Sequence, residues 1–151
     1  MDPVSFAASL LTLLGAAGAT CEFVYNFILD ISNVPDEIRL QAIKLRCLHQ
    51  SISTLVSFYR RDDLPPELQL DPFLERNVRN FLDNVRGVEA KFQNSSARLD
   101  RSRTCHLLEK LTWLSSDRQL RKFYSSLDDW MIIFSTAVST TELFVVPRHL
   151  F

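Results

Sequence analysis

The sequence is poor in glycine and cysteine and has no excess of charge of either sign. It contains 3 glycines and 3 cysteines in 151 residues, and its 17 basic and 18 acidic residues give a net charge of −1. So few glycines argue against the many tight turns of an all-β protein. Balanced charge argues against a general nucleic-acid binder. An odd number of cysteines without regular spacing fits a reducing, cytoplasmic compartment better than a disulfide framework.

Apolar residues recur instead at intervals of three and four, which is the spacing of one face of a helix. The three clearest runs are Leu45, Leu48, Ile52, Leu55 and Tyr59; Leu74, Val78, Phe81, Val85, Val88 and Phe92; and Leu120, Phe123, Leu127, Trp130, Phe134 and Ala137. Each run places one apolar stripe on one side of a helix. The sequence therefore predicts an all-α bundle.

Capping signals divide the chain into helices. Asp2-Pro3 and Asp71-Pro72 are typical of an N-cap followed by proline at the first helical position, and Ser116 with Gln119 resembles a capping box. Pro35 precedes two carboxylates, which the helix dipole favours in a first turn. These signals predict one domain over residues 1–143 with helices at 3–31, 36–60, 72–97, 103–114 and 117–143. Pro147 predicts a tail, 144–151, outside the last helix.

We expect the first helix to lie at the centre of this bundle, surrounded by the others. The residues predicted to form the core are Leu11, Leu14, Phe27, Leu48, Ile52, Leu55, Val78, Phe81, Val85, Leu111, Trp113, Leu127 and Phe134. Of the three cysteines, Cys47 is the one expected outside the core, because it falls just off the Leu45–Leu48 stripe.

Residues 4–21 carry no formal charge, and the first basic residue of the chain is Arg39. Three interpretations of this segment compete. A signal peptide would need a positive region before its apolar run, which is missing here, although Ala-Ala-Gly-Ala resembles a cleavage site. A membrane-spanning helix would need about 20 strongly apolar residues, and serine, threonine and glycine dilute this segment. A buried helix of the bundle is the favoured interpretation.

The same helix supplies the first set of candidate site residues. Gly15 and Ala19 are four residues apart, a spacing of small residues that lets a second helix approach closely. The segment is therefore a candidate for packing inside the bundle or for insertion into a membrane. The residues assigned to it are Val4, Phe6, Leu10, Leu11, Leu14, Gly15 and Ala19.

The sequence offers no arrangement for catalysis or metal binding. Cys105 and His106 are neighbours, and adjacent helical residues point about 100° apart, so they do not form a catalytic dyad. Cys47 and His49 diverge still further. The remaining histidine, His149, lies in the predicted tail. We therefore expect no enzyme, no cofactor and no metal site.

Positive charge is concentrated in one part of the chain. Between residues 98 and 122 there are seven basic and three acidic residues, a net charge of +4. A solvated surface is the simplest interpretation, and attraction to anionic lipid or to an acidic partner is the alternative. Nucleic acid is not expected, because no recognition motif accompanies the charges. The candidate patch comprises Arg98, Arg101, Arg103, Arg118, Arg121 and Lys122.

The opening string Met-Asp-Pro-Val-Ser-Phe-Ala-Ala-Ser-Leu-Leu-Thr-Leu-Leu-Gly-Ala-Ala-Gly resembles the start of the fungal N-terminal, HeLo-like domain. A second similarity is the Leu-x-Trp element at Leu111–Trp113, followed by the run from Leu120 to Val138. Val34-Pro35 and the helix after it are also similar, so the resemblance spans about residues 2–143. The chain departs from the family pattern after Trp113, where Leu114-Ser115-Ser116-Asp117 replaces a more basic segment.

The resemblance implies an all-α module at the N-terminus of fungal STAND proteins, ahead of a NACHT or NB-ARC ATPase module and repeats. Such modules signal in fungal incompatibility and programmed cell death, and members of the wider HeLo group insert their first helix into membranes. This chain stops at Phe151 with neither ATPase module nor repeats.

We therefore expect a non-enzymatic, cytoplasmic signalling or interaction module with protein partners, a second copy among them. The alternative is a membrane-active effector whose first helix inserts into anionic membranes, which would make the active form membrane-associated.

Overall fold

The structure is a computed structural model that describes residues 3–31, 34–61, 71–99, 114 and 116–150. Side chains are described at residues 6, 8–31, 34–61, 71–94, 114 and 116–143. Four long helices account for nearly all of this part of the chain: α1 (Pro3–Leu29), α2 (Asp36–Tyr59), α3 (Pro72–Leu99) and α4 (Arg118–Leu150). The all-α prediction is confirmed. The predicted helix at 103–114 lies outside the described residues except for Leu114, which is fully buried.

The predicted helix starts are confirmed within the described residues, and the structure contains side-chain capping hydrogen bonds at the starts of α3 and α4. Asp71 caps α3, because its Oδ1 accepts a hydrogen bond from the backbone N–H of Leu74 at 3.0 Å. The predicted capping box at Ser116 is wrong. The cap of α4 is Asp117, one residue later, whose Oδ1 accepts from the N–H of Leu120 at 3.0 Å. A carboxylate suits this position better because it also complements the helix dipole.

The expectation that a tail leaves the last helix near residue 143 is wrong, because α4 continues to Leu150. Pro147 removes one backbone N–H, and the acceptor it would have served is the carbonyl of Leu143. Leu143 is 73% exposed. Water can solvate that carbonyl, so the missing hydrogen bond costs little at this end of the helix.

The helices form a ring in which each one packs against two neighbours. α1 packs mainly against α2 and α3, and α4 packs against the same two helices from the opposite corner. Phe27, near the end of α1, stacks on Phe92 of α3 at 4.5 Å between ring centroids, so the C-terminal ends of these helices lie together. The expectation that α1 is central is therefore wrong in the described part of the chain. One side of α1 faces its neighbours, and the other faces outward.

The core follows the predicted stripes closely. Nine of the predicted core residues are buried: Leu14, Leu48, Ile52, Leu55, Val78, Phe81, Val85, Leu127 and Phe134. Leu11 and Phe27 are half-buried and pack against this cluster, whereas Leu111 and Trp113 lie outside the described residues. Phe81 anchors one half of the core through edge-to-face contacts with Trp130 and Phe134, whose centroids lie 5.4 and 5.3 Å away.

Candidate interaction site

The candidate residues of α1 divide between its two faces. Leu10 and Leu14 are fully buried, and Phe6 and Leu11 are half-buried. Gly15 and Ala19 are exposed. The side chain of Val4 lies outside the described residues.

The expected close helix contact at Gly15 is wrong for the described part of the chain. A Cβ built on Gly15 meets nothing within 4 Å, whereas one built on Gly18 lies 3.4 Å from Cγ2 of Ile52 in α2. The closer approach of α1 to α2 is therefore at Gly18. The sequence alone did not show which glycine faces α2, because Gly15 and Gly18 are three residues apart and their directions differ by only about 60° around the helix.

The outer side of α1 is the rim of a groove of about 440 Å³ between α1 and α2. Its lining combines small residues of α1 with polar and apolar residues of α2. Glu22 and His49 face each other across it, with 3.8 Å between Oε2 and Nε2. The residues that line the groove are Leu14, Gly15, Gly18, Ala19, Glu22, His49, Ile52, Ser53, Val56, Ser57 and Arg60.

A second groove, of about 360 Å³, lies between the start of α3 and the middle of α4, and its lining is mostly apolar. Phe73 and Ile132 stand on its rim with 64% and 66% of their surface exposed. Thr141 lies on its floor and donates a 2.8 Å hydrogen bond to the carbonyl of Ala137, so this buried hydroxyl is satisfied. The other lining residues are Asp71, Leu74, Ile133, Thr136, Ala137 and Thr140. We call this surface the α3–α4 groove.

Tyr59 and Asp71 lie at the same end of the bundle as the α3–α4 groove. Burial raises the pKa of the Tyr59 phenol, and the negative charge of Asp71 raises it further. Both effects disfavour the phenolate, so the Tyr59 hydroxyl stays protonated throughout the physiological range. Among the described residues that line the groove, Asp71 therefore supplies the negative charge at this end, and the neutral Tyr59 hydroxyl adds none.

The opposite end of the bundle is fastened by an ion pair. Nζ of Lys91 in α3 donates to both carboxylate oxygens of Asp117 at 2.8 Å. Burial alone would raise the pKa of Asp117, but the hydrogen bonds from Lys91 and from the N–H of Leu120, with the positive charge of Lys91, lower it overall. The carboxylate is thus held ionised where it caps α4.

The predicted basic patch is only partly visible. Arg118, Arg121 and Lys122 are exposed in the first turns of α4. Arg101 and Arg103 lie outside the described residues, and so does the side chain of Arg98. Whether the six residues form one surface stays a prediction.

Among the described residues, no group of three or more histidine, cysteine, aspartate or glutamate side chains is placed to hold a metal ion. Cys47 is exposed, as expected, and Cys21 is buried. Burial raises the pKa of the Cys21 thiol, which disfavours the reactive thiolate.

One described helix is long and apolar enough to cross a membrane by length and composition. It covers Ala8–Leu29, with a mean hydropathy of 1.3, and 44% of the segment is buried in the bundle. A core helix of a globular protein meets the same criteria, so this property by itself does not choose between the two interpretations of α1.

No family model matches this chain, and no curated protein or solved structure is detectably similar to it.

Proposed function

We propose that this chain is a non-enzymatic protein-interaction module that receives a partner in the α3–α4 groove. The observation that carries the proposal is the exposure of Phe73 and Ile132 beside an apolar groove. Large apolar side chains grouped around a groove are typical of protein-binding surfaces. The resemblance of about residues 2–143 to the HeLo-like domain supports a signalling role of this kind, in incompatibility or programmed cell death.

The partner that suits the groove is an amphipathic helix. Two bundle helices form its walls, and a third helix with apolar residues at intervals of three and four would lie between their ridges. Phe73 and Ile132 would then be covered, and Asp71 would face a basic residue of the partner at the end of the groove. Burial of Phe73 and Ile132 would provide most of the affinity, because large apolar anchors dominate interfaces of this type.

Site-specific photocrosslinking in the source cells tests the proposal. A photoreactive phenylalanine analogue at Phe73 is expected to trap a discrete partner. The matched control places the analogue at Asn80, which is exposed on the same helix but does not line the groove. Filling the groove with Thr136→Arg should abolish the crosslink from Phe73 and weaken binding of the purified partner at least tenfold. Identical products from both positions, or no effect of Thr136→Arg, would contradict the proposal.

A membrane-active effector is the second candidate, and the apolar segment Ala8–Leu29 is the observation that favours it. Several of its large apolar residues, such as Leu10, Leu14 and Ile28, are fully buried, whereas Phe23 and Leu29 are 37% and 38% exposed. Insertion would therefore require α1 to leave the bundle, which exposes the core that these residues fill. The outer side of α1 presents mostly small or polar residues, with Phe23 and Leu29 as its large apolar side chains.

A reversible disulfide bond between α1 and α2 distinguishes the interaction module from the membrane-active effector. Gly18→Cys with Ile52→Cys places two thiols where α1 and α2 approach closely, in a background of Cys47→Ser and Cys105→Ser. If α1 inserts, flotation with anionic liposomes should occur in reducing conditions and be lost when the disulfide forms. The serine background without the new cysteines is the control, and it should float equally in both conditions. Absence of flotation for the unlocked protein at low salt would exclude the membrane candidate.

A further inference from the structure

The surface shared by α2 and α4 exposes apolar side chains on α2 and charged side chains of both signs on α4. Leu40 and Ile43 of α2 have 49% and 48% of their surface exposed. They lie close to α4, because Nζ of the neighbouring Lys44 is 2.9 Å from Oδ1 of Asp128. The surface therefore combines a small apolar area with the charged outer side of α4.

The charges on α4 fall into two pairs with seven-residue spacing. Arg121 and Asp128 form one pair, and Lys122 and Asp129 form the other; all four are exposed. Seven residues are close to two full turns, so the two members of a pair lie on the same side of the helix. Asp128 contacts Lys44, which places the first pair on the side of α2. Lys122 lines a groove with Asn84 and Val88, which places the second pair on the side of α3.

Both pairs are centred on Ser125. Each positive residue lies three or four positions before Ser125 and each negative residue three or four positions after it, about 4.5–6 Å along the helix. Consider a second copy placed face to face with the first and related to it by a two-fold axis that passes Ser125 perpendicular to α4. In this arrangement the two α4 helices are antiparallel, and the α2 side of one copy lies over the α2 side of the other. Arg121 then faces Asp128 of the other copy, and Lys122 faces Asp129. By symmetry, four ion pairs form.

We propose that this α2–α4 face binds a second copy of the chain in this antiparallel arrangement. Ser125 permits close contact at the axis because its side chain is small. Its hydroxyl already donates a 2.8 Å hydrogen bond to the carbonyl of Lys122, so contact leaves no donor without a partner. α2 begins where α1 ends, which is the end of the bundle where α3 ends and α4 begins, so α2 and α4 run in the same direction. Leu40 and Ile43 precede Lys44 as Ser125 precedes Asp128, which places them at about the same level. These apolar residues meet their counterparts across the axis.

The ion pairs and the apolar residues contribute to the dimer in different ways. Exposed ion pairs add little affinity, but like charges placed opposite each other exclude other orientations. Burial of Leu40 and Ile43 supplies the attraction, and the charges set the direction. This inference does not rest on the proposed function, because it is argued from Leu40, Ile43 and the charges of α4, and its test uses no partner.

A charge-swap experiment tests the proposal by sedimentation velocity without lipid or partner. Arg121→Asp with Lys122→Asp gives an acidic face, and Asp128→Lys with Asp129→Lys gives a basic face. The wild type is expected to dimerise as its concentration rises to about 0.1 mM. Each variant alone should associate at least tenfold more weakly, because like charges then oppose each other. An equimolar mixture of the two variants should restore the dimer, with all four ion pairs reversed or retained.

Arg76→Asp with Arg86→Asp makes the same change in charge on exposed positions of α3 and is the matched control, which should leave the wild-type dimer unchanged. Circular dichroism verifies that every variant is folded. A wild type that stays monomeric over the whole concentration range overturns the proposal. So does a mixture of folded variants that fails to associate, or a control variant that weakens the dimer equally.

Discussion

The α1–α2 groove and the α3–α4 groove are similar in size but differ in the residues around them. Between α1 and α2, the exposed residues on the rim are small or polar, such as Gly15, Ala19 and Glu22. Between α3 and α4, they include Phe73 and Ile132. α1 is the most apolar of the four helices in composition, yet most of its large apolar side chains are buried or half-buried, and the exposed Phe23 and Leu29 do not line the α1–α2 groove. Side-chain size at exposed positions therefore distinguishes a binding surface better than the apolar content of a helix.

The largest expected difference is in the reactivity of two thiols. Cys21 lies on the inner side of α1 and Cys47 on the outer side of α2. Since Cys21 reacts only when the bundle opens, its labelling by a maleimide should be at least about a thousandfold slower than that of Cys47. Mass spectrometry of the labelled peptides measures both rates, and denaturant should equalise them. Rapid labelling of Cys21 without denaturant would show that α1 leaves the bundle readily, and would strengthen the membrane candidate.

Two phenylalanines of α3 sharpen the comparison on the side of the apolar groove. Phe81 is fully buried, whereas Phe73 is mostly exposed. Phe81→Ala should lower the free energy of unfolding by about 3–5 kcal/mol, because it leaves a cavity beside Trp130 and Phe134. Phe73→Ala should change it by less than about 0.5 kcal/mol while weakening partner binding. Urea denaturation followed by circular dichroism measures both, and an equally large effect at Phe73 would mean that this residue belongs to the core.

Two glycines test the two sides of α1. Gly18→Leu should lower the free energy of unfolding by about 1–3 kcal/mol, because the added side chain meets Ile52 of α2. Gly15→Ala should instead stabilise the protein by about 0.5–1 kcal/mol, since alanine favours the helix and open space surrounds the position. Thermal unfolding of the two variants beside the wild type gives the comparison. Destabilisation by Gly15→Ala would indicate that another part of the chain packs on the outer side of α1.

The smallest expected effect is the contribution of the Asp117 carboxylate to the free energy of unfolding, which depends on pH. The folded chain holds the pKa of this carboxyl below its unfolded value, so its charge stabilises the fold at pH values above the unfolded pKa. That contribution is lost as the pH falls through the folded pKa. Asp117→Asn keeps a capping oxygen but removes the charge, and should cost about 1 kcal/mol at pH 7.

The difference between wild type and Asp117→Asn should then shrink as the pH is lowered below about 4. Denaturation curves at several pH values measure it. Lys91→Gln should weaken the same dependence, because it removes the charge of Lys91 but leaves the backbone hydrogen bond from Leu120, and both lower the pKa. A pH-independent difference between wild type and Asp117→Asn would show that the ion pair contributes nothing to the stability of the fold.

The predictions from sequence that succeeded depend on local rules. Apolar spacing identified nine buried core residues, and the Asp-Pro signal at residue 71 identified the start of α3. The prediction of Ser116 as the cap of α4 failed, because the next residue, Asp117, is also of a type that caps helices well. The ion pair with Lys91, 26 residues earlier, accompanies Asp117 in that role. Such a distant contact leaves no local pattern in the sequence.

The sequence by itself determined that this protein is helical, where α1, α2 and α3 begin, and which side of most helices is apolar. Those properties follow from periodicity, caps and helix propensity, which act over a few residues. Only the tertiary structure decided that α1 occupies a corner of the bundle, that Gly18 and not Gly15 approaches α2, and that Phe73 and Ile132 stand beside one groove. These depend on the order in which helices pack around the core, and residues far apart in the chain decide that order together.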